Sequence, residues 1–108
     1  MRPNSKLNEI LFFSQLKSNG IKEPLKEYKF DSKRRWRFDY CFPDYKLAVE
    51  VEGGVWIQGR HNRASGFVKD IEKYNKATIL GYKVIRVLPE NLFKLETIEM
   101  IKEIIKNH

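Results

Sequence analysis

Cysteine is almost absent from this chain, since Cys41 is the only one among 108 residues. A single thiol excludes an intrachain disulfide and any zinc site built from several cysteine ligands. The sequence also lacks a long hydrophobic run, an N-terminal segment of the signal-peptide type, internal repeats and low-complexity stretches. We therefore expect a cytoplasmic protein without a membrane-spanning helix, in which Cys41 is structural.

Acidic residues are fewer than basic ones, with 14 Asp and Glu against 21 Lys and Arg. The resulting net charge of +7 favours a polyanionic partner, of which nucleic acid is the commonest and an acidic membrane surface the alternative. A hydrophobic content of 42% is typical of globular proteins. The length suits one domain that can bury a core, so residues 1–108 are predicted to form a single domain.

Two kinds of periodicity divide the chain into seven segments. Helical spacing, with Gly20 and Gly81 as C-terminal caps, predicts helices over residues 5–19, 66–80 and 90–106. Alternation and β-branched residues predict strands over residues 27–30, 36–42, 46–52 and 83–89. The order αβββαβα predicts an α/β fold with a mixed four-stranded sheet flanked by helices, its last two strands being joined by a parallel crossover.

Each predicted helix has an apolar stripe that is expected to face the core. The expected inward residues include Leu7, Ile10, Leu11 and Leu16 in the first helix, with Phe12 and Phe13 widening its stripe, Phe67, Ile71 and Tyr74 in the second, and Leu92, Leu95, Ile98, Ile101 and Ile105 in the third.

The stretch from Trp36 to His61 carries Asp39, Glu50 and Glu52 inside an apolar pattern. Strict alternation would put Trp36, Phe38, Tyr40 and Phe42 on one face, and Arg37, Asp39 and Cys41 on the other. A turn at residues 43–45 would make Asp39 and Glu50 cross-strand neighbours, with Glu52 one pleat further. Two like charges ~4 Å apart repel by roughly 4 kcal/mol at an effective dielectric of about 20. A divalent metal ion, or an Arg or Lys, is expected to offset this cost.

Carboxylates in this arrangement suit phosphodiester hydrolysis, which needs an activated water, charge compensation on the phosphate and help for the leaving oxygen. Mg²⁺ binds through one or two carboxylates, so Asp39 with Glu50 or Glu52 is sufficient. His61 could act as a general base. Cations that could contact phosphate are Arg60, Arg63 and Lys73, together with the basic turn of Lys33, Arg34, Arg35 and Arg37, which fits a solvated loop equally well.

These pieces resemble the PD-(D/E)xK nuclease superfamily, and within it the branch of very-short-patch repair endonucleases and related Glu-Asp-x-His-Asp enzymes. The similar segments are WRFDYCFP, LAVEVEGGVW, the RH of the next loop, FVKDIEKYN and GYKVIRV. Together with Glu9 they extend to Val87 and cover nearly the whole chain. The resemblance implies a restriction-endonuclease-like core and DNA cleavage with Mg²⁺ or Mn²⁺.

The resemblance also assigns roles to individual residues. It implies that Asp39 is the principal metal ligand, that His61 is the catalytic histidine and that Asp70 orients it. Glu9 matches the first-helix acid, Glu52 takes a variable position that is histidine in the repair enzymes, and Glu50 is a further candidate ligand. The strand lacks the lysine of the acid-x-Lys pattern, for which Lys73 could substitute. Mismatch recognition is not expected, because one cysteine cannot build the zinc site of the repair enzymes.

Other interpretations stay open for several of these residues. Glu9 also fits a solvated acid near a helix N-terminus. The strand acids also fit a polar sheet face balanced by Arg37 and Lys46, and Asp70 fits a surface acid paired with Lys73 or Lys69.

The sequence therefore predicts a metal-dependent DNA endonuclease that nicks one strand per active site, so that a double-strand cut needs a homodimer or two encounters. The alternatives are a non-catalytic nucleic-acid-binding module of the same fold and a junction-resolving nuclease acting on branched DNA. A nuclease of this size suits a phage or mobile-element genome, or the catalytic half of a larger protein.

Overall fold

The structure, a computed structural model, describes the backbone of residues 5–53 and 63–108 and the side chains of the same ranges except residues 63–65. Its helices are α1 (Ser5–Ser18), α2 (Arg63–Ile79) and α3 (Leu95–Lys106). Its strands are β1 (Leu25–Lys29), β2 (Arg37–Phe42), β3 (Leu47–Val51) and β4 (Lys83–Val87). The predicted order of helices and strands is confirmed. No helix in the described ranges is long and apolar enough to cross a membrane.

The four strands form one mixed sheet in the order β1-β2-β3-β4. The pairs β1–β2 and β2–β3 are antiparallel, whereas β3 and β4 run parallel, as a crossover through α2 requires. One face of the sheet packs against α1 and α3, where Leu47 and Val49 of β3 meet Phe12, Leu16 and Ile98. The other face carries a smaller cluster in which Ala48 of β3 lies with Ala77 of α2. The α/β class and the flanking helices are thus as predicted.

The hairpin between β2 and β3 has the predicted turn and register. Pro43–Tyr45 form a single turn of 3₁₀-helix, and Lys46 leaves it with a left-handed φ of 51°. Tyr40 then pairs with Val49, so continuing the register places Asp39 opposite Glu50. The chemistry of the candidate site depends on this register, because a shift by one residue would turn every side chain of β3 to the opposite face.

The predicted single face of Trp36, Phe38, Tyr40 and Phe42 is wrong. Tyr40 and Phe42 pack on the α1 and α3 side, whereas Phe38 packs with buried Cys41 on the α2 side. The alternation breaks at Asp39, whose amide bonds to a side chain instead of continuing the β2–β3 ladder. Glu27, across from Asp39 in β1, has a φ of +50°, a left-handed conformation that few residues other than glycine adopt.

The predicted C-terminal ends of α1 and α2 are confirmed to within one residue, whereas the predicted starts of α2 and α3 are wrong, since α2 begins at Arg63 and not at residue 66. Gly20 and Gly81 both have positive φ and close Schellman motifs, in which Ile21 and Tyr82 donate back to Leu16 and Ala77. The third helix does not begin at residue 90. Pro89–Asn91 instead form a short 3₁₀ turn, and the Asn91 carbonyl accepts the Thr97 hydroxyl at 2.7 Å.

Several apolar residues that were predicted to face inward are exposed. Helix α1 buries Phe12 and Leu16, and the ring of Phe12 meets Tyr40 edge-on at 5.2 Å. Spacing alone does not decide which of two apolar stripes packs, and here the larger aromatic side chain is buried. The predicted core residues that lie exposed are Leu7, Ile10 and Leu11 of α1, Phe67 and Ile71 of α2, and Leu95 of α3.

Candidate functional site

Two carboxylates stand at the point where β2 and β3 cease to pair. The Asp39 N–H donates to Oε2 of Glu50 at 2.8 Å, and the Val51 N–H donates to Oδ2 of Asp39 at 2.7 Å. These bonds come directly after the last ladder pair, Tyr40 with Val49. Each acid therefore satisfies a backbone donor that the opposite strand would otherwise bind, and this fixes both side chains at the end of the hairpin.

Lys73 reaches Glu50 from helix α2. Its Nζ lies 2.8 Å from Oε1 of Glu50, and the two side chains are only 16% and 7% exposed. The Tyr74 hydroxyl donates to the same oxygen at 3.0 Å. Glu50 thus receives an ammonium group, a hydroxyl and a backbone amide, which is the set of donors a buried carboxylate requires.

Small residues explain why α2 comes close enough for this contact. Ala48 and Ala77 are both fully buried and belong to the same cluster between α2 and the sheet. Lys73 precedes Ala77 by one helical turn, and Glu50 follows Ala48 on the same face of β3. The close approach at the two alanines therefore brings the long lysine side chain over the glutamate.

Burial raises the pKa of both acids. For Glu50 this effect outweighs the hydrogen bonds from Lys73 and from the Asp39 amide, so its pKa lies above the ordinary value. For Asp39, burial exceeds the opposing hydrogen bond from Val51, and the nearby charge of Glu27 adds to the rise in pKa. Keeping both groups ionised costs free energy, and a cation beside Asp39 would reduce that cost.

Glu52 is bound by a cation of its own. Its Oε2 lies 2.9 Å from Nε of Arg86 in β4 and 3.4 Å from the Tyr74 hydroxyl. The Arg86 guanidinium also lies 4.4 Å from the centre of the Tyr74 ring. The hydrogen bond to Glu52 raises the pKa of Arg86. Tyr74 therefore lies between two carboxylates, one of which is paired with Lys73 and the other with Arg86.

A cleft of about 240 Å³ opens beside Asp39 on the α1 side of the sheet. Glu9 lines it, and its carboxylate accepts the Tyr40 hydroxyl at 2.8 Å and Lys26 Nζ at 2.9 Å. Burial raises the pKa of Glu9, but the hydrogen bonds from Lys26 and Tyr40 outweigh it and hold the pKa below its ordinary value. The structure thus brings Glu9 and Asp39 to one cleft, with Glu9 held ionised.

The remaining predicted site residues are either exposed or lie outside the residues that the structure describes. Asp70 is exposed on α2, near enough to contribute to the raised pKa of Arg86. Arg60 and His61 lie outside the described residues, as does the side chain of Arg63. The basic turn is exposed at Lys33, Arg34, Arg35 and Arg37.

Four residues of this site were not predicted from the sequence. Arg86 had a visible signal, because it is a charge that interrupts the apolar residues of the strand KVIRV. In the structure it pairs in register with Glu50. Tyr74 looked like a core residue, and only the packing of α2 reveals its hydroxyl contacts. The others are Tyr40 and Glu27, for which the sequence carries no signal.

Asp39 is the acid of this pair that is better placed to contact a divalent metal ion, because both oxygens of Glu50 already accept hydrogen bonds. Within the described part of the chain, no three His, Cys, Asp or Glu side chains come together as a metal-binding group. Mg²⁺ nevertheless needs only one or two carboxylates and takes its other ligands from water and substrate. Oδ2 of Asp39 accepts the Val51 amide, whereas Oδ1 accepts no hydrogen bond from the residues that the structure describes, so Oδ1 is the oxygen that can contact a cation.

Comparison with known proteins gave no match to a family model, a curated protein or a solved structure.

Proposed function

We propose that this protein is a metal-dependent DNA endonuclease built on a restriction-endonuclease-like core. The observation that carries the proposal is the pair Asp39 and Glu50 at the open end of the β2–β3 hairpin, with Lys73 on Glu50. Asp39 together with the acid and the lysine of the acid-x-Lys pattern would make two acids and a lysine, and two acids and a lysine are present here. Here the lysine comes from α2 instead of from the strand.

Asp39 and Glu50 would hold the metal ion, Mg²⁺ or Mn²⁺. When bound, that ion would activate a water molecule and offset charge on the phosphate oxygens. Asp39 would offer Oδ1, since Val51 holds its other oxygen in place. Glu52 is also a candidate ligand; like Glu50, which is paired with Lys73, its carboxylate is already paired with a cation, Arg86.

The other residues have supporting roles in this proposal. Lys73 lies beside Glu50, where its ammonium group can orient the attacking water or contact the scissile phosphate. Glu9 lines the same cleft as Asp39 and is a candidate for a second contact to the metal-bound water. His61 remains the proposed general base, and Asp70 the residue that orients it.

DNA is the proposed substrate because the chain carries a net charge of +7 and an exposed basic turn at residues 33–37. Non-specific affinity for DNA comes from such cations, each of which neutralises a backbone phosphate. A single catalytic centre per chain leads us to expect nicks, with double-strand cuts only where two copies act.

A non-catalytic DNA-binding module is the second candidate. It is favoured by the Lys73–Glu50 ion pair, which already neutralises one of the two acids without a metal ion. In such a module, Asp39 and Glu50 would serve only to accept the backbone N–H groups at the end of the β2–β3 hairpin.

Nicking of supercoiled plasmid separates the two candidates. The nuclease is expected to convert it to open circles with Mn²⁺ or Mg²⁺ and to do nothing in EDTA, whereas the binding module retards DNA in both conditions. Linear, nicked and four-way DNA, compared under the same conditions, show whether branched substrates are preferred. Binding without nicking in either metal ion would contradict the endonuclease.

Freeing Glu52 should strengthen metal binding. In Arg86→Met the Glu52 carboxylate loses its counter-charge, so its negative charge beside the site is no longer neutralised. We therefore expect Mn²⁺ to bind about tenfold more tightly. The rise of Tm with Mn²⁺ concentration measures this. Lys83→Met, an exposed position on the same strand, is the matched control. Unchanged Mn²⁺ affinity in Arg86→Met would mean that Glu52 lies too far from the ion.

A further inference from the structure

Arg34 is the most constrained cation of the basic turn. The turn is set by Asp31, which is buried and whose Oδ2 accepts the Arg34 N–H at 3.3 Å. The Arg34 guanidinium then lies 4.3 Å from the centre of the Trp36 ring, while 54% of its side chain stays exposed. Among the described cations of this turn, Arg34 alone lies over an aromatic ring.

The indole under Arg34 is one end of an aromatic column. Trp36 lies nearly parallel to Phe30, with centroids 6.3 Å apart and 16° between the planes. Phe30 stacks on buried Phe38 at 4.0 Å and 4°. Beyond it, Lys73 Nζ is 5.9 Å from the centre of the Phe38 ring. The column therefore links the basic turn to the lysine that contacts Glu50.

A stacked guanidinium suits recognition of phosphate. Stacking uses the face of the planar group and leaves its N–H edge free to bind two oxygens at once. A side chain already held in place also loses less entropy on binding. Glu72 lies 3.7 Å from Arg34 Nη1, but both side chains are about half exposed, so a phosphate can replace this weak pair.

We propose that Arg34 is a pre-positioned contact to a backbone phosphate of duplex DNA. The column of Trp36, Phe30 and Phe38 fixes the place of this contact relative to Lys73. A strand held at Arg34 would thus be held in one register with respect to Glu50. This inference rests on the proposed DNA substrate and adds the residue that sets its position.

The test is DNA binding in EDTA, where cleavage does not interfere. Fluorescence anisotropy with a labelled duplex gives the Kd at several salt concentrations. Arg34→Ala is expected to raise the Kd about tenfold and to reduce the salt slope by about one. The matched control, Lys33→Ala, should lower the slope by a similar amount but raise the Kd less than about threefold, because that cation is not pre-positioned.

Two further variants separate position from charge. Arg34→Lys keeps the charge but loses the planar fork, so the Kd should rise at least about threefold with little change in slope. Trp36→Leu should do the same without altering any charge, and its Tm shows whether the fold is intact. If Trp36→Leu is unfolded, the Kd of Arg34→Lys alone tests whether the position of the guanidinium matters.

The inference is overturned if Arg34→Ala matches Lys33→Ala, or if Arg34→Lys binds like the wild type. Either result leaves the proposed nuclease untouched where plasmid nicking persists. Absence of DNA binding by the wild type would instead remove the proposed substrate, and the inference with it.

Discussion

Asp39→Asn should abolish metal-dependent cleavage and at the same time stabilise the metal-free protein. Asparagine keeps an oxygen that can accept the Val51 N–H, so the end of the hairpin is preserved. The variant loses the negative charge that binds the metal ion. We therefore expect the rate of cleavage to fall by about 10³-fold or more, which corresponds to a loss of ~4 kcal/mol of transition-state stabilisation. Binding of DNA in EDTA should persist, because no cation is lost.

The gain in stability comes from the cost of the buried charge. Burial raises the pKa of Asp39 in the folded state, so its ionised form is less stable there than in the unfolded chain. Removing that charge should raise the free energy of unfolding at pH 7 by roughly 0.5–2 kcal/mol, a gain typical of relieving a strained functional site. Thermal or urea unfolding in EDTA measures it.

The sign of this effect can be checked with pH. A raised folded-state pKa means that stability from Asp39 is fully present below its unfolded pKa and is lost as pH rises through the folded pKa. The stability difference between Asp39→Asn and wild type should therefore vanish near pH 3 and grow towards neutrality. Asp44→Asn, in the exposed turn after β2, should change neither cleavage nor stability by much. A variant at Asp39 that cuts normally would end the proposal.

The hairpin that carries the site could be predicted because local and long-range signals agree. Pro43 separates two alternating runs, and only one register buries Leu47 and Val49 while leaving Glu50 on the other face. The pairing of Asp39 with Glu50 follows from that register. The αβββαβα order follows from the change between strand and helix periodicity, and Gly20 and Gly81 mark two helix ends.

The break in β2 could not be predicted, because alternation assumes an uninterrupted ladder. Asp39 interrupts it by exchanging hydrogen bonds with Glu50 and Val51, and Phe38 then turns to the α2 side. The exposed stripes of α1 and α2 show a related limit. The helical spacing of apolar residues identifies an amphipathic helix. The shape of the surface that packs against the helix determines which of its apolar stripes is buried.

The contact of Lys73 with Glu50 depends on tertiary packing. In the sequence the two residues lie on separate elements, and only the resemblance suggested Lys73 as a substitute for a strand lysine. The pair forms because Ala48 and Ala77 let α2 approach the sheet. Arg86 is similar, since the parallel β3–β4 register alone puts it beside Glu50, while its side chain binds Glu52.

Lys73→Met should be among the most destabilising single changes in the chain. Methionine fills similar space but leaves the Glu50 carboxylate, 7% exposed, without its counter-charge. Breaking a buried ion pair from one side costs about 3–5 kcal/mol, or about 10–20 °C in Tm for a domain of this size. Lys69→Met, on the exposed side of α2, should change stability by less than ~0.5 kcal/mol.

The low-pH behaviour and a double variant identify the cause. Burial already raises the pKa of Glu50, and loss of Lys73 raises it further, so the defect should shrink as pH falls and Glu50 takes up a proton. Glu50→Gln combined with Lys73→Met removes both charges and should recover most of the lost stability. If the double variant were as unstable as Lys73→Met, packing of the lysine stem and not its charge would be what stabilises α2 on the sheet. Because the recovered protein lacks both groups, it should remain inactive, which separates the structural from the catalytic role of this pair.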